Sequence, residues 1–281
     1  MTIAITAATG HFGQLAMHAA VSTGQDVVAV VRNPDRFVPR DGVTVRQADY
    51  DDPAAMTAAL AGVDALLLVS GSEMGKRVAQ HRNVIDAASA AGVDRLVYTS
   101  APRASTSSLI LVPDHKATEE YLAASGVGWA VARNNWYHEN YVPGLARAAA
   151  SGVLVAAAGA GRVASASRAD LAAGAVALLT DAWTAGAIHE FGGDVAWDFT
   201  DLAAMYAEAS GRPVTYRPVT PSELVDTLVA AGVPRGGAEF AAAMDASIED
   251  GLLGDATGEL GAILGRPTTP LLDTLRAAAV A

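Results

Sequence analysis

The stretch Ile3-Ala4-Ile5-Thr6-Ala7-Ala8-Thr9-Gly10-His11-Phe12-Gly13 is an apolar run that breaks into a turn of small residues. A second apolar run, Val27-Val28-Ala29-Val30-Val31, ends at Arg32, the first basic residue of the chain. Strand, tight turn, helix and second strand, in that order, make a unit whose turn N–H groups and helix N-terminus hold a dinucleotide pyrophosphate. The residue closing the second strand then meets the adenosine ribose. An acid there would bind the two ribose hydroxyls of NAD, whereas a guanidinium pairs with a 2′-phosphate through charge-assisted hydrogen bonds. Arg32 therefore predicts NADP, or NADPH in the reduced state.

The same alternation continues. Apolar runs predict strands at 3–6, 27–31, 43–47, 65–69, 95–99 and 129–133, and helical stretches fall near 13–22, 53–60, 75–91 and 115–125. The expected fold is α/β, a Rossmann doubly wound parallel sheet with the carboxyl ends of its strands on one ligand-binding rim. After Tyr141 the rhythm changes to a Gly-punctuated segment (151–162), a helix at 168–179, a strand near 187–191, a helix at 200–210 and a proline-rich tail. This divides the chain into a dinucleotide-binding domain, 1–150, and a smaller C-terminal lobe, 151–281, that completes a substrate pocket while some of its elements return to the first domain's core.

Composition narrows the chemistry. No apolar stretch reaches the roughly 18 residues of a membrane span, and the first apolar run breaks at Thr6 with no basic residue before it, so a soluble cytoplasmic protein is expected. Zero cysteines exclude disulfides, thiolate nucleophiles and Cys-ligated metals, and the six scattered histidines give no metal-binding pair. No metal is expected. A net charge of −11 repels nucleic acid, so the partner is a small molecule whose phosphates are met locally. The sequence is compatible with a homodimer and does not decide it.

Candidate cofactor contacts are Ala7, Thr9, Gly10, His11, Phe12 and Gly13 in the turn, Arg32, then Asp49 after the third strand. Ser70, Gly71 and Ser72 leave the fourth strand, and Thr99 and Ser100 the fifth. Ala7 fills the position usually given to the turn's first glycine. A Cβ at positive φ costs roughly 1–2 kcal/mol, so either φ is negative there or the turn is strained. The Tyr-x-x-x-Lys acid pair of ordinary short-chain reductases is absent: the only two lysines, Lys76 and Lys116, are preceded four residues earlier by Ser72 and Val112. Asp114 precedes His115 and Lys116 on the helix after the fifth strand; at most one of those two faces the rim, and the alternative is a solvated first turn capped by Asp114. Asn135, Trp136, Tyr137 and Asn140 follow the sixth strand, where aromatic rings stack on a planar substrate and amides orient it. Tyr137, with His115 and Lys116, completes the catalytic candidates.

The segments 5–13, 30–34 (Val-Val-Arg-Asn-Pro), 45–50 (Val-Arg-Gln-Ala-Asp-Tyr), 80–87, 98–100, 134–141, 164–170 and 265–269 resemble the NmrA-like atypical short-chain dehydrogenase/reductases, nearest their bacterial quinone-reductase branch. The Arg-Gln-Ala-Asp-Tyr and Asn-x-Trp-Tyr-x-Glu-Asn stretches are the more specific. The resemblance implies NADPH at the turn and Arg32, with a quinone ring near the nicotinamide beneath Trp136 and Tyr137. Two other branches of the group stay open. One keeps a lysine at the start of the helix holding Lys116 and reduces carbonyls or enones; the other binds NADP without catalysis and signals redox state through a protein partner.

Overall fold

The computed structural model describes residues 1–73 and 75–280. Its first half runs β1 (Thr2–Ile5), α1 (His11–Ser22), β2 (Asp26–Val31), β3 (Val43–Gln47), α2 (Pro53–Ala59), β4 (Ala65–Leu68), α3 (Arg77–Ala91), β5 (Arg95–Ser100), α4 (Val112–Ala123) and β6 (Trp129–Asn134). The second half runs α5 (Val142–Ser151), β7 (Val153–Ala156), α6 (Arg168–Ala177), β8 (Ala187–Phe191), α7 (Phe199–Ser210), β9 (Thr215–Pro218), α8 (Pro221–Ala230), α9 (Arg235–Glu249), α10 (Glu259–Leu264) and α11 (Leu271–Val280).

Seven parallel strands form the main sheet in the order β3-β2-β1-β4-β5-β6-β8, so the expected doubly wound α/β fold is borne out. The strand order reverses between β1 and β4, which opens the crevice where such sheets take ligands. Alternation sorts each strand's side chains to two faces. Ile3, Ile5, Ala65 and Leu67 pack under α1 and α6, while Ala4, Leu66 and Leu68 pack under α2, α3 and α4. Both faces are buried, which is why these strands read as continuous apolar runs.

Two elements of the second half join these layers: β8 pairs with β6, and α6 lies against α1. A separate cluster built on Trp197, Phe199, Leu202 and Tyr206 holds α5, α7, α11 and the small β7-β9 sheet beyond the rim. Among the described residues, no helix is long and apolar enough to cross a membrane.

One boundary moves a functional candidate. Helix α4 starts at Val112, three residues before the expected onset, with Leu111 at its N-cap and no side-chain cap. Asp114 is therefore not the cap. It lies inside the first turn, and its carboxylate pairs with the Arg77 guanidinium at 3.3 Å.

Candidate dinucleotide site

Between β1 and α1 the chain turns at Ala7 with φ +48°, a left-handed conformation that L residues other than Gly enter at a cost. Of the two options the sequence leaves for this position, the strained one holds. The Ala7 carbonyl accepts the Gly10 N–H at 2.9 Å and faces Gly13 across the turn. A Cβ at Gly13 would stand 2.4 Å from that oxygen and 2.9 Å from Ala8 Cα, both backbone atoms, so only glycine lets α1 seat this close to β1. Helix α1 opens on Gly10, which carries no capping side chain, and has no acidic residue in its first turn. Its leading N–H groups and positive dipole end are left for an anion, which fits a pyrophosphate.

Ala7→Gly should relieve the strain while adding freedom to the unfolded chain, a net gain of about 0.5–1 kcal/mol. A melting temperature raised by roughly 1–3 °C is the expected reading; an unchanged or lower one would show that the turn already accommodates the methyl group.

A cleft of about 400 Å³ runs across the β1/β4 reversal. Among the residues expected at the cofactor, Ala7, Thr9, Gly10, His11, Phe12, Gly13, Arg32, Asp49, Ser70, Gly71 and Ser72 line it. Thr99 and Ser100 do not. Both are buried behind the rim, where Thr99 Oγ1 accepts the Ser70 N–H at 2.9 Å and Ser100 Oγ donates to Glu119 at 2.6 Å. Thr99 thus fixes the β4 loop from below. Tyr50, next to Asp49 after β3, Glu73, at the end of the 69–73 stretch, and Gln80 also line the cleft. The Tyr50 hydroxyl bridges Thr6 Oγ1 and the Val69 carbonyl, tying the ends of β1 and β4 together.

Arg32 stands at the end of β2 with its side chain 68% exposed, Nη1 3.3 Å from Glu73 and Nε 3.8 Å from Asp49. Glu73 also meets Lys76 at 3.5 Å, and Lys76 reaches Asp51 at 3.6 Å. The carboxylates hold the guanidinium at the mouth of the cleft, so a 2′-phosphate would replace Glu73 as its partner.

His115 is 7% exposed, its Nδ1 2.8 Å from the Tyr98 hydroxyl. Burial, with Arg77 and His81 nearby, lowers its pKa to about 3, so the ring is neutral at pH 7. Lys116 is exposed, and neither residue lines the cleft. His81 accepts the Gly71 N–H on Nε2 at 2.9 Å, which puts its proton on Nδ1, facing Thr118 Oγ1 at 3.0 Å. Thr118 passes the chain on to the Asp114 carbonyl. This histidine positions Gly71 at the rim.

Beyond β6 the Tyr137 ring stacks on Phe12 at 6.3 Å between centroids, and the Arg168 guanidinium lies 5.0 Å above it. Tyr137 thus forms a wall next to the turn. The Asn135 amide is already engaged, donating to the Leu253 carbonyl and accepting the Trp136 N–H. Trp136 packs against the lobe's core, and exposed Asn140 accepts from Arg168 at 3.1 Å. Of the four residues expected at the substrate, only the Tyr137 ring contacts a residue that lines the cleft.

A doubly wound sheet with a phosphate turn and an arginine after β2 defines a dinucleotide-binding Rossmann protein. The chain belongs to the NAD(P)H-binding family, whose model matches residues 7–182. It is 44% identical to quinone oxidoreductase 2 of Escherichia coli K12 over 277 residues, 97% of each chain. The crystal structure of the Escherichia coli NADPH-dependent quinone oxidoreductase complexed with NADPH superimposes with a TM-score of 0.93 at 43% identity, covering 98% of this chain and 99% of that one. Citrobacter sp. triphenylmethane reductase complexed with NADP(H) gives 0.93 at 34% identity, again over 98% and 99%. The resemblance read from the sequence holds along the whole chain.

Proposed function

We propose that the protein is an NADPH-dependent reductase of quinones or related conjugated carbonyls. What carries the reading is the agreement of the whole chain with a quinone oxidoreductase crystallised with NADPH. Bound NADPH supplies a hydride. The α1 N-terminus and the Ala7–Gly13 turn hold its pyrophosphate, Arg32 pairs with its 2′-phosphate, and the Phe12 and Tyr137 rings shield the reacting end from water. No acid is poised among these residues: His115 is neutral and tied to Tyr98, and Lys116 faces solvent. Quinones suit such a site, because reduction yields an aromatic hydroquinone anion that water protonates, whereas an alkoxide needs a general acid worth typically 10²–10⁴-fold.

NADPH oxidation followed with and without a small benzoquinone tests the reading. Rapid oxidation with the quinone and little with aliphatic ketones is expected. Tight NADPH binding with no oxidation by any quinone tried would instead favour a redox sensor. The same reading has the protein acting in the cytoplasm on a small planar substrate and gives nucleic acid no part, since the net charge of −11 opposes it. Assembly as a homodimer is a matter for sedimentation.

Arg32 should select the cofactor. Charged hydrogen bonds contribute about 1.5–3 kcal/mol, and part of that is offset because the guanidinium must leave Glu73. Arg32→Ala is therefore expected to weaken NADPH about tenfold to a hundredfold, nearer the lower figure, while sparing NADH. Equal losses for both in titration calorimetry would remove Arg32 from the 2′-phosphate.

A further inference from the structure

Asn134 is the last residue of β6, 5% exposed, and neither Nδ2 nor Oδ1 of its amide has a hydrogen-bond partner. Among the described residues it is the one side chain with both a buried donor and a buried acceptor left unpaired. Native folds rarely keep such a group without a use. Strand alternation fixes where it points. Its neighbours Arg133 and Asn135 turn to the opposite face, where Arg133 meets Glu119 and Glu190 and Asn135 meets Leu253. Asn134 shares its side with Ala132 and Ala130, on the α1 face of the sheet. At the rim that face ends in the stacked Phe12 and Tyr137 rings, and Phe12 lines the cleft. The Tyr137 hydroxyl lies beside the amide without reaching hydrogen-bond geometry with it. Burial drives that phenol's pKa up.

Arg32 follows β2 and Asn134 ends β6, so the two lie on opposite sides of the β1/β4 reversal. A dinucleotide whose 2′-phosphate is at Arg32 and whose pyrophosphate is on α1 extends its nicotinamide toward Asn134. Resting on the NADPH reading above, we propose that Asn134 holds the nicotinamide carboxamide, donating from Nδ2 to the carboxamide oxygen and accepting on Oδ1 from the carboxamide NH₂. The stoichiometry favours this ligand over the substrate: a quinone carbonyl would satisfy the donor alone, whereas a primary amide satisfies both atoms. Asn134 would then fix which face of the ring meets the substrate, as a positioning residue.

The test compares NADPH with 2′-phospho-ADP-ribose, which keeps both phosphate anchors and lacks the nicotinamide. Asn134→Ala should weaken NADPH about tenfold by calorimetry, two neutral hydrogen bonds being lost, and leave the fragment's affinity unchanged. Unchanged NADPH affinity, or equal losses for both ligands, would overturn the assignment. Should the variant fail to fold, ¹⁵N-asparagine spectra of the parent protein decide. The Asn134 NH₂ signals should move with NADPH and stay with the fragment; signals that ignore NADPH, or that move equally with both, overturn the proposal. Failure of the parent to bind either ligand would overturn the cofactor reading itself, and this proposal with it.

Discussion

Acidification from pH 7 to pH 5 is expected to weaken the fold by about 4 kcal/mol. His81, His115 and His138 are 0%, 7% and 2% exposed. Burial, helped by Arg77 at the first two, lowers their pKa values to about 3, 3 and 4; at His138 the Ser165 carbonyl works against it. Each folded value lies below the unfolded value of about 6.5, so below that pH the unfolded chain binds protons that the fold excludes. Stability that is full above pH 6.5 therefore drains away as the pH falls, by about 2 kcal/mol per histidine at pH 5. Asp245 acts with the opposite sign. Burial raises its carboxyl to about 6, so the fold takes up a proton before the unfolded chain does and recovers about 1 kcal/mol over the same interval. Urea melts at pH 7, 6 and 5 check the balance. Equal stability at the three values would mean that these imidazoles are solvated in solution. Against a typical total of about 5–15 kcal/mol, the expected loss is a large part of the whole.

Gly13→Ala should abolish most cofactor binding. The added methyl meets the Ala7 carbonyl at 2.4 Å and Ala8 Cα at 2.9 Å, and neither backbone atom can swing aside as a side chain would. Separating α1 from β1 costs about 1–3 kcal/mol of stability by overpacking. It also misplaces the helix N–H groups that would meet the pyrophosphate. NADPH affinity is expected to fall on the order of a hundredfold or more, about 2.7 kcal/mol. Calorimetry with a melt in parallel separates the two effects. A folded variant that binds NADPH normally would show that the cofactor does not use this turn.

Strands β1, β2 and β4 to β6 were legible because both their faces are buried and leave largely apolar runs, whereas β3, an edge strand with Thr44, Val45 and Gln47 exposed, was legible from its β-branched residues Val43, Thr44 and Val45. Strands β7 and β9 were not. They form a separate two-stranded pair in which β7 is only four residues long and β9 is mostly exposed, and Thr215-Tyr216-Arg217-Pro218 carries no apolar pattern. At the site, the turn and Arg32 were legible because glycine spacing and charge are visible in one dimension. The inward turn of Thr99 and Ser100 was not, since a hydroxyl at a strand's end bonds either to a ligand or to its own protein at equal sequence cost. Glu73 is likewise defined by Arg32, 41 positions away, and no local pattern marks it. In the sequence Asn134 is one of several amides in the stretch 133–141, and the others, Asn135 and Asn140, turn out to be engaged. What marks it is the lack of partners, a property only three dimensions reveal.

Strand β8 carries a consequence for synthesis. The sheet's far edge is written late in the chain: β6 finds its outer neighbour only when residues 187–191 have emerged, and Glu190 on that strand is one of the two carboxylates that neutralise buried Arg133. A nascent chain halted at residue 182, where the family match ends, would carry every residue of the phosphate turn yet present an open row of β6 backbone groups and a half-compensated guanidinium. Ribosome-bound intermediates of that length should be the ones that chaperones grip and that aggregate when released.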